Sequence, residues 1–241
     1  MAANQIKIRK GLDLPVTGVP QQSVGSAAEV KTVGILGPDY VGMRPTMAVQ
    51  EGDRVELGQV LFEDKNHASI KFTAPGSGSV AAINRGAKRT LQSVAIELSG
   101  ADERQFERHA DVQGLSAEQV REQLCASGLW TALRTRPFSK VADPTAKPHS
   151  IFVTATDTNP LAARPDQIIS AHENDFASGV LALTKLTEGS VFVCKASGTS
   201  VPSAPPDAVK VVDFDGPHPA GLAGTHIHFL DPVGPQKSAV C

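Results

Sequence analysis

Two short segments combine large apolar side chains with hydrogen-bond donors. One holds Tyr40, Met43 and Arg44; the other holds Trp130, Phe138 and Lys140. Tyr40 is the only tyrosine of the chain and Trp130 the only tryptophan. This mixture suits an apolar slot for a flat ligand whose carbonyl oxygens accept from one or two aimed donors. Taken singly, each of these residue types is more often packing or surface. Arg134, Arg136 and Lys140 make a basic run, read as solvated surface or as ion pairs to an acidic partner. His218, His226 and His228 lie close enough in sequence to raise metal ligation, but no carboxylate or cysteine joins them at a familiar ligand spacing. Histidines satisfied by hydrogen bonds are the preferred reading there. Cys125, Cys194 and Cys241 are far apart with no CxxC, which points to a reducing compartment and away from iron–sulfur or structural zinc. No nucleophile–base or paired-carboxylate spacing is present, so no acid–base chemistry is expected.

The elements that must position these residues fall into three regions. Between residues 32 and 98, short β-branched runs alternate with turn signals, predicting strands at 32–36, 60–63, 70–73, 80–84 and 93–98 in a small all-β sandwich. Around them, Val49-x-x-Gly52-Asp53-x-Val55-x-x-Gly58-Gln59-x-Leu61 and Ala74-Pro75-x-x-Gly78-x-Val80 resemble the two hammerhead halves of biotinyl and lipoyl carrier domains. Gly52 and Gly58 supply turns of positive φ, and Val55, Leu61 and Val80 face the core. Lys65 lies between the halves, about where a carrier lysine is modified. The run from Lys65 to Ala74 is longer than a carrier's tight hairpin, so an acylated carrier is only a remote alternative.

Residues 113–149 form a connection with one well-specified helix, 117–127. Ser116 and Gln119 make its capping box, Leu115 staples onto Val120, and Gly128 ends it with Leu129 placed against Leu124. Pro137, Pro144 and Pro148 mark the remainder as extended surface chain. Residues 150–241 then alternate in type. An apolar strand at 150–155 precedes a helix opened by Ser170-x-x-Glu173, with Phe176, Val180, Leu183 and Leu186 inward, and strands follow at 191–195 and 209–214. Strand, crossover helix, strand is the βαβ pattern of a parallel sheet, here small or truncated. The fold class is therefore mixed α+β: a biotinyl/lipoyl-like sandwich over 1–112, the connection, and a Rossmann-like α/β domain over 150–241. No G-x-G-x-x-G follows a strand, and Pro160 removes an amide donor from the 154–160 strand end, so no glycine cradle for a dinucleotide phosphate is expected.

Hydrophobic residues make up 41% and charged residues 20% of 241, the balance of a folded globular chain. A net charge of −2 gives no global basic field for nucleic acid. No stretch approaches the roughly 18 apolar residues of a membrane span, and MAANQIKIRKG has no apolar core of a secretory signal. The default compartment is the cytoplasm, with any membrane association coming through a partner.

Further strings narrow the reading. They are Arg9-Lys10-Gly11-Leu12-Asp13-Leu14-Pro15, Tyr40-Val41-Gly42-Met43-Arg44-Pro45-Thr46 and Asn84-Arg85-Gly86-Ala87-Lys88-Arg89. Trp130 to Lys140, Asp157-Thr158-Asn159-Pro160-Leu161-Ala162-Ala163, and Gly216 to His226 complete the series. In this order, and over nearly the whole chain, they resemble the A-subunit family of the bacterial sodium-translocating NADH:quinone oxidoreductase. The resemblance implies a peripheral subunit on the cytoplasmic face of the inner membrane, part of a six-subunit complex that passes electrons from NADH to ubiquinone and pumps sodium. It implies that flavins, iron–sulfur centres and Na+ belong to partner subunits, that no cofactor is bound here, and that the membrane-embedded B-subunit is the direct partner. Members of that family run on beyond this length, into a ubiquitin-like domain and a helical tail, which makes the chain an N-terminal fragment. Tyr40, Met43, Arg44, Trp130, Phe138 and Lys140 then become candidate ubiquinone-binding residues. The alternative is a scaffold that docks on the membrane subunits and shields a quinone site located in them.

Overall fold

The computed structural model describes residues 5–18, 20–202, 208–235 and 237–241. After β1 (Gln5–Lys7), seven strands build a two-layered sandwich: β2 (Thr32–Leu36), β3 (Pro45–Met47), β4 (Arg54–Val55), β5 (Val60–Asp64), β6 (His67–Thr73), β7 (Gly78–Arg85) and β8 (Leu91–Leu98). One sheet runs β2-β8-β7-β4 and the other β3-β5-β6, each with antiparallel neighbours. Alternation decides most of the side chains that meet between the layers, and a bulge in β5 turns the adjacent Leu61 and Phe62 both into protein. Val55, Leu61, Phe62, Ile70, Phe72, Val80, Val94 and Ile96 are almost fully buried, each contributing roughly 1.5–3 kcal/mol relative to exposure. Phe62 and Phe72 stack with centroids 4.5 Å apart. Gly52 and Gly58 have φ of +91° and +82°, a region where a side chain would be strained.

One expectation about the sandwich needs correction. β5 ends at Asp64 and β6 begins at His67, so Lys65 and Asn66 form a two-residue hairpin turn. The run from Lys65 to Ala74 is mostly strand, and the long loop that set a carrier aside does not exist. His67, Ala68 and Ser69 carry little strand propensity of their own; His67 pairs with Asp64, and a register irregularity follows before Lys71 pairs with Glu63.

The connection folds as α1 (Ala117–Ala126), a one-turn helix over Leu129–Ala132 and β9 (Thr135–Arg136). Ser116 Oγ accepts from Gln119 N–H at 3.2 Å, and Gln119 Oε1 accepts from Ser116 N–H at 2.9 Å, the expected reciprocal cap. Gly128 is required twice over: its φ is +81°, and a Cβ there would come 2.5 Å from Thr73 Oγ1. The same Thr73 hydroxyl donates to the Ser127 carbonyl at 3.1 Å, tying the end of α1 to β6.

The second sheet contains β10 (Ser150–Ala155), β11 (Val191–Ala196), β12 (Val209–Asp215) and β13 (Ala239–Val240), in the order β1-β12-β11-β10-β13-β9. All neighbours are parallel except β13 with β9. It is larger than the three strands legible beforehand because it gains the two-residue β13 and borrows β1 from the N-terminus and β9 from the connection. β1 therefore pairs outside the sandwich to which the division at residue 112 assigned it. Alternating residues split the burial of this sheet. Ile151, Val191 and Val193 merge with the sandwich core and with Val180 and Leu186. Phe152, Phe192, Cys194, Val212 and Phe214 pack on the opposite face with Ile227.

The helices are α2 (Pro165–Ala171), α3 (Glu173–Thr184) and α4 (Ala223–Leu230). Ser170 does not cap α3. Pro165 starts a separate short helix that absorbs Ser170, whose Oγ donates to the Gln167 carbonyl at 2.9 Å, and His172 occupies the cap position of α3 without a side-chain bond.

Candidate functional site

A turn at residues 40–44 leaves the sandwich where β2 passes into β3. The Tyr40 ring packs edge-on against Phe72 with centroids 4.7 Å apart, and the Arg134 guanidinium lies 4.8 Å from its centroid, within cation–π range. Arg134 also donates to the Asp39 carbonyl at 3.2 Å. Gly42 has φ +79°, and a Cβ there would sit 3.8 Å from Lys140 Cε. The two segments singled out from the sequence thus meet in space. The turn is pinned below by Asp64, a buried carboxylate that accepts from Arg44 N–H at 3.3 Å and Asn66 N–H at 3.0 Å, and by Lys65 N–H donating to the Arg44 carbonyl at 2.7 Å.

Beside the turn opens a cleft of about 720 Å³. Tyr40, Met43 and Arg44 form one wall; Arg85, Lys88, Arg89 and Leu91 form the other. The second wall is the tight connection between β7 and β8. Its Arg85 guanidinium donates to the Arg89 carbonyl at 3.2 Å, and Arg89 N–H donates to Gly86 O at 3.1 Å. Lys88 and Arg89 both take left-handed backbone, with φ of 54° and 61°. That conformation costs a non-glycine residue on the order of 1 kcal/mol, and such strain gathers at functional sites. In the sequence these three cations stand out only as part of a family string. The signal that could have found them is three cations packed around a glycine turn between two strands.

Phe138 and Lys140 sit in a hairpin closed by Thr135 N–H donating to Lys140 O at 2.8 Å and Ser139 N–H to Thr135 O at 3.0 Å. Phe138 is 77% exposed at the tip, with φ of +81°. Trp130 goes elsewhere. It is buried, its indole N–H donates to the Ala142 carbonyl at 2.7 Å, and it lines a separate small apolar cavity with Leu133, Ile151, Leu186 and Val240. Its donor is spent on the backbone, so Trp130 is removed from the candidate set as a donor. Tyr40, Met43 and Arg44 line the cleft, Lys140 lies beside Gly42 of the same turn, and Phe138 stands exposed at the tip of its own hairpin.

The histidines do not converge. His218 Nδ1 lies 3.1 Å from both Thr158 Oγ1 and Thr158 O. His226 is fully buried with Nε2 2.9 Å from the Ala220 carbonyl. His228 faces a shallow pocket with Arg9, Lys10 and Phe229. Among the described residues no group of three or more His, Cys, Asp or Glu side chains is arranged to hold a metal ion. At the C-terminal end of β10, where an open parallel sheet offers its ligand crevice, Thr158 is tied to residues 218–221, and a pocket of about 290 Å³ remains between Thr158, Pro160, His218 and Leu12. Gly221 N–H donates to Thr158 Oγ1 at 2.9 Å, a Cβ on Gly221 would lie 2.5 Å from Thr158 N, and Asp13 accepts from His218 N–H at 2.8 Å. Burial pushes the thiols of Cys125 and Cys194 up to about 11 and about 12, which keeps them protonated and unreactive. No helix among the described residues is long and apolar enough to cross a membrane.

Residues 6–99 match the family model described as the NqrA N-terminal barrel-sandwich hybrid domain, and residues 115–240 match the NqrA second alpha/beta domain. Similar relatives include the A-subunit of the Na(+)-translocating NADH-quinone reductase of Pseudomonas aeruginosa, 57% identical over 97% of this chain and 52% of the relative. Those of Neisseria meningitidis serogroup B and Histophilus somni are 55% and 54% identical, each over 97% of this chain and 53% of the relative. The chain spans about half the length of the curated relatives it matches. Sandwich, connecting helix and α/β sheet all fall within these matches, and the chain belongs to the NqrA family.

Proposed function

We propose that this chain is the N-terminal part of a peripheral subunit of a sodium-translocating NADH:ubiquinone oxidoreductase, held at the cytoplasmic face of the inner membrane. It contributes side chains to ubiquinone binding and carries no redox centre; flavins, iron–sulfur centres and the sodium path reside on partner subunits. The observation that supports this most is the meeting of the 40–44 turn with Lys140 beside an open cleft. Tyr40 and Met43 offer apolar surface to a quinone ring, Arg44 lines the same cleft as a donor to its carbonyl oxygens, and Lys140 stands beside Gly42 of the turn. Hydrogen bonds of this kind hold a neutral ring without requiring any change in its charge.

The test is titration of the chain, and of the full-length protein, with a short-chain ubiquinone, followed by location of the bound ring by crystal soaking. Arg44→Leu is expected to weaken binding about tenfold, or about 1.4 kcal/mol. Saturable binding that Arg44→Leu leaves unchanged would sink the reading.

The second reading is a scaffold that docks on the membrane-embedded B-subunit. It is favoured by Phe138, a large aromatic standing exposed at a hairpin tip, the residue type that anchors interfaces. Loss of co-purification with the B-subunit in Phe138→Ala, with quinone affinity unchanged, selects the scaffold.

A further inference from the structure

We propose that the cleft between the 40–44 turn and the 85–91 turn is a binding site for a phosphate-bearing anion. Arg44, Arg85, Lys88 and Arg89 converge on this one volume from both walls. Among the described residues, none of the four lies within 4.0 Å of a carboxylate, whereas eight other Lys and Arg side chains form ion pairs, among them Arg54 with Asp102 and Lys195 with Asp213. The two nearby acids do not neutralise them. Asp64 is buried and spent on the amides of Arg44 and Asn66, and Asp39 makes no ion pair with them.

Like charges gathered in a concave wall repel one another and focus a positive potential outward. The chain as a whole is slightly acidic, with a net charge of −2, so this concentration is local. The backbone maintains it at a cost. Lys88 and Arg89 stand in consecutive left-handed positions, φ 54° and 61°, where glycine or asparagine would be relaxed. Arg85 is fixed by the Arg89 carbonyl rather than by an acid, which leaves guanidinium N–H groups free to fork onto a ligand. Arginine forks match phosphate oxygens in pairs. A neutral ring needs no such charge.

Pro38, Tyr40, Met43 and Leu91 add apolar surface to the same lining, which accommodates an organic group carried on the phosphate. The source is either a soluble phosphate ester or the headgroup of an anionic phospholipid. The proposal shares this cleft with the quinone reading but does not require quinone to bind.

The test uses three forms of the chain at low salt: native, Lys88→Asn/Arg89→Asn, and a control with equal charge loss outside the cleft, Arg104→Asn/Arg108→Asn. Asparagine tolerates left-handed backbone, so the first pair removes charge without adding strain. One arm titrates inorganic pyrophosphate by calorimetry. The other floats the chain with vesicles of phosphatidylcholine, with or without phosphatidylglycerol. Saturable binding is expected in one arm at least, weakened about tenfold or more by Lys88→Asn/Arg89→Asn, unaffected by the control pair, and falling with added salt. Pyrophosphate binding assigns a soluble phosphate ester; phosphatidylglycerol-dependent flotation without it assigns the lipid headgroup. Arg44→Gln, on the opposite wall, reads the same site should the double variant lower Tm. Absence of binding in both arms, or equal loss in the control pair, overturns the proposal. Ubiquinone titration of the same variants keeps the two readings apart, since quinone affinity retained by Lys88→Asn/Arg89→Asn leaves the quinone site standing whatever the anion result.

Discussion

His226 is enclosed by protein, with the Phe214 ring 4.2 Å away and Nε2 2.9 Å from the Ala220 carbonyl. A carbonyl only accepts, so Nε2 carries the proton and the ring is held neutral. Burial lowers its pKa to about 4, outweighing the opposing pull of the Ala220 carbonyl. The unfolded chain binds a proton near pH 6.5 that the folded chain refuses until about pH 4, so stability falls as pH drops through that window. The loss amounts to about 3 kcal/mol at its limit. Urea unfolding at pH 7 and pH 4.5 is expected to show it, and His226→Gln should flatten the difference; an unchanged slope would refute the assignment. Phe138 poses the opposite case, an exposed aromatic in left-handed backbone. Phe138→Gly is expected to leave Tm unchanged or raise it, by up to about 1 kcal/mol of relieved strain, and a fall in Tm would show that the ring packs in solution. Lys65 stands at its hairpin tip, with its N–H tied to Arg44 and with His67 lying 3.7 Å from Asp143 of the connection. Lys65 itself is exposed, so the expectation of a bare lysine rests on membership of the NqrA family rather than on the hairpin. Intact-mass spectrometry from a host with active lipoylation and biotinylation is expected to return the bare 25.3 kDa; one added lipoyl or biotinyl group would restore the carrier reading. At this scale Tyr40, Met43 and Arg44 were legible because rare, bulky and cationic types shared one loop. Trp130 was not, because nothing in a sequence says that an indole N–H will be consumed by the carbonyl of Ala142.

Helix α1 gives the clearest link from local sequence to an element. Ser116→Ala removes one half of the reciprocal cap and is expected to cost about 1 kcal/mol, lowering Tm by roughly 2–4 °C in a chain of this size. No change in Tm would mean that packing on β6 alone holds the helix. The strands of the sandwich were legible wherever four or more strand-forming residues stood between turn signals, as in β5, β7 and β8. The start of β6 was not, since its first three residues have little strand propensity and lie at an irregular register with β5. β1, β9 and β13 have three, two and two residues, too few to carry a period. Ser170 misled for a related reason. A serine three residues before a glutamate is a capping pattern, but Pro165 had already started a helix that used it.

The molecule is joined by a core that ignores the boundary between its two sheets. Ile151, Val191 and Val193 of the parallel sheet belong to the same buried cluster as Leu61, Phe72 and Trp130. β1 closes one edge of that sheet, with Gln5 opposite Asp213 and Ile6 opposite Phe214. Deleting residues 1–8 removes Ile8, which is buried, and uncovers Val212 and Phe214. A loss of about 2–4 kcal/mol is expected, measured as a lower urea midpoint; an unchanged midpoint would mean that β1 is only laid on the surface. The position of β1 also sets a timetable. Every strand pair of the sandwich lies between Thr32 and Leu98, so that layer is complete in sequence early in translation. β1 leaves the ribosome first and finds its partner only when Asp213 has been made, about 10–40 s later at ordinary elongation rates. Throughout that interval Ile6 and Ile8 travel without a partner, interleaved with Lys7, Arg9 and Lys10. Charges so placed are gatekeepers: they let β1 wait for β12 without pairing with a neighbour's strand.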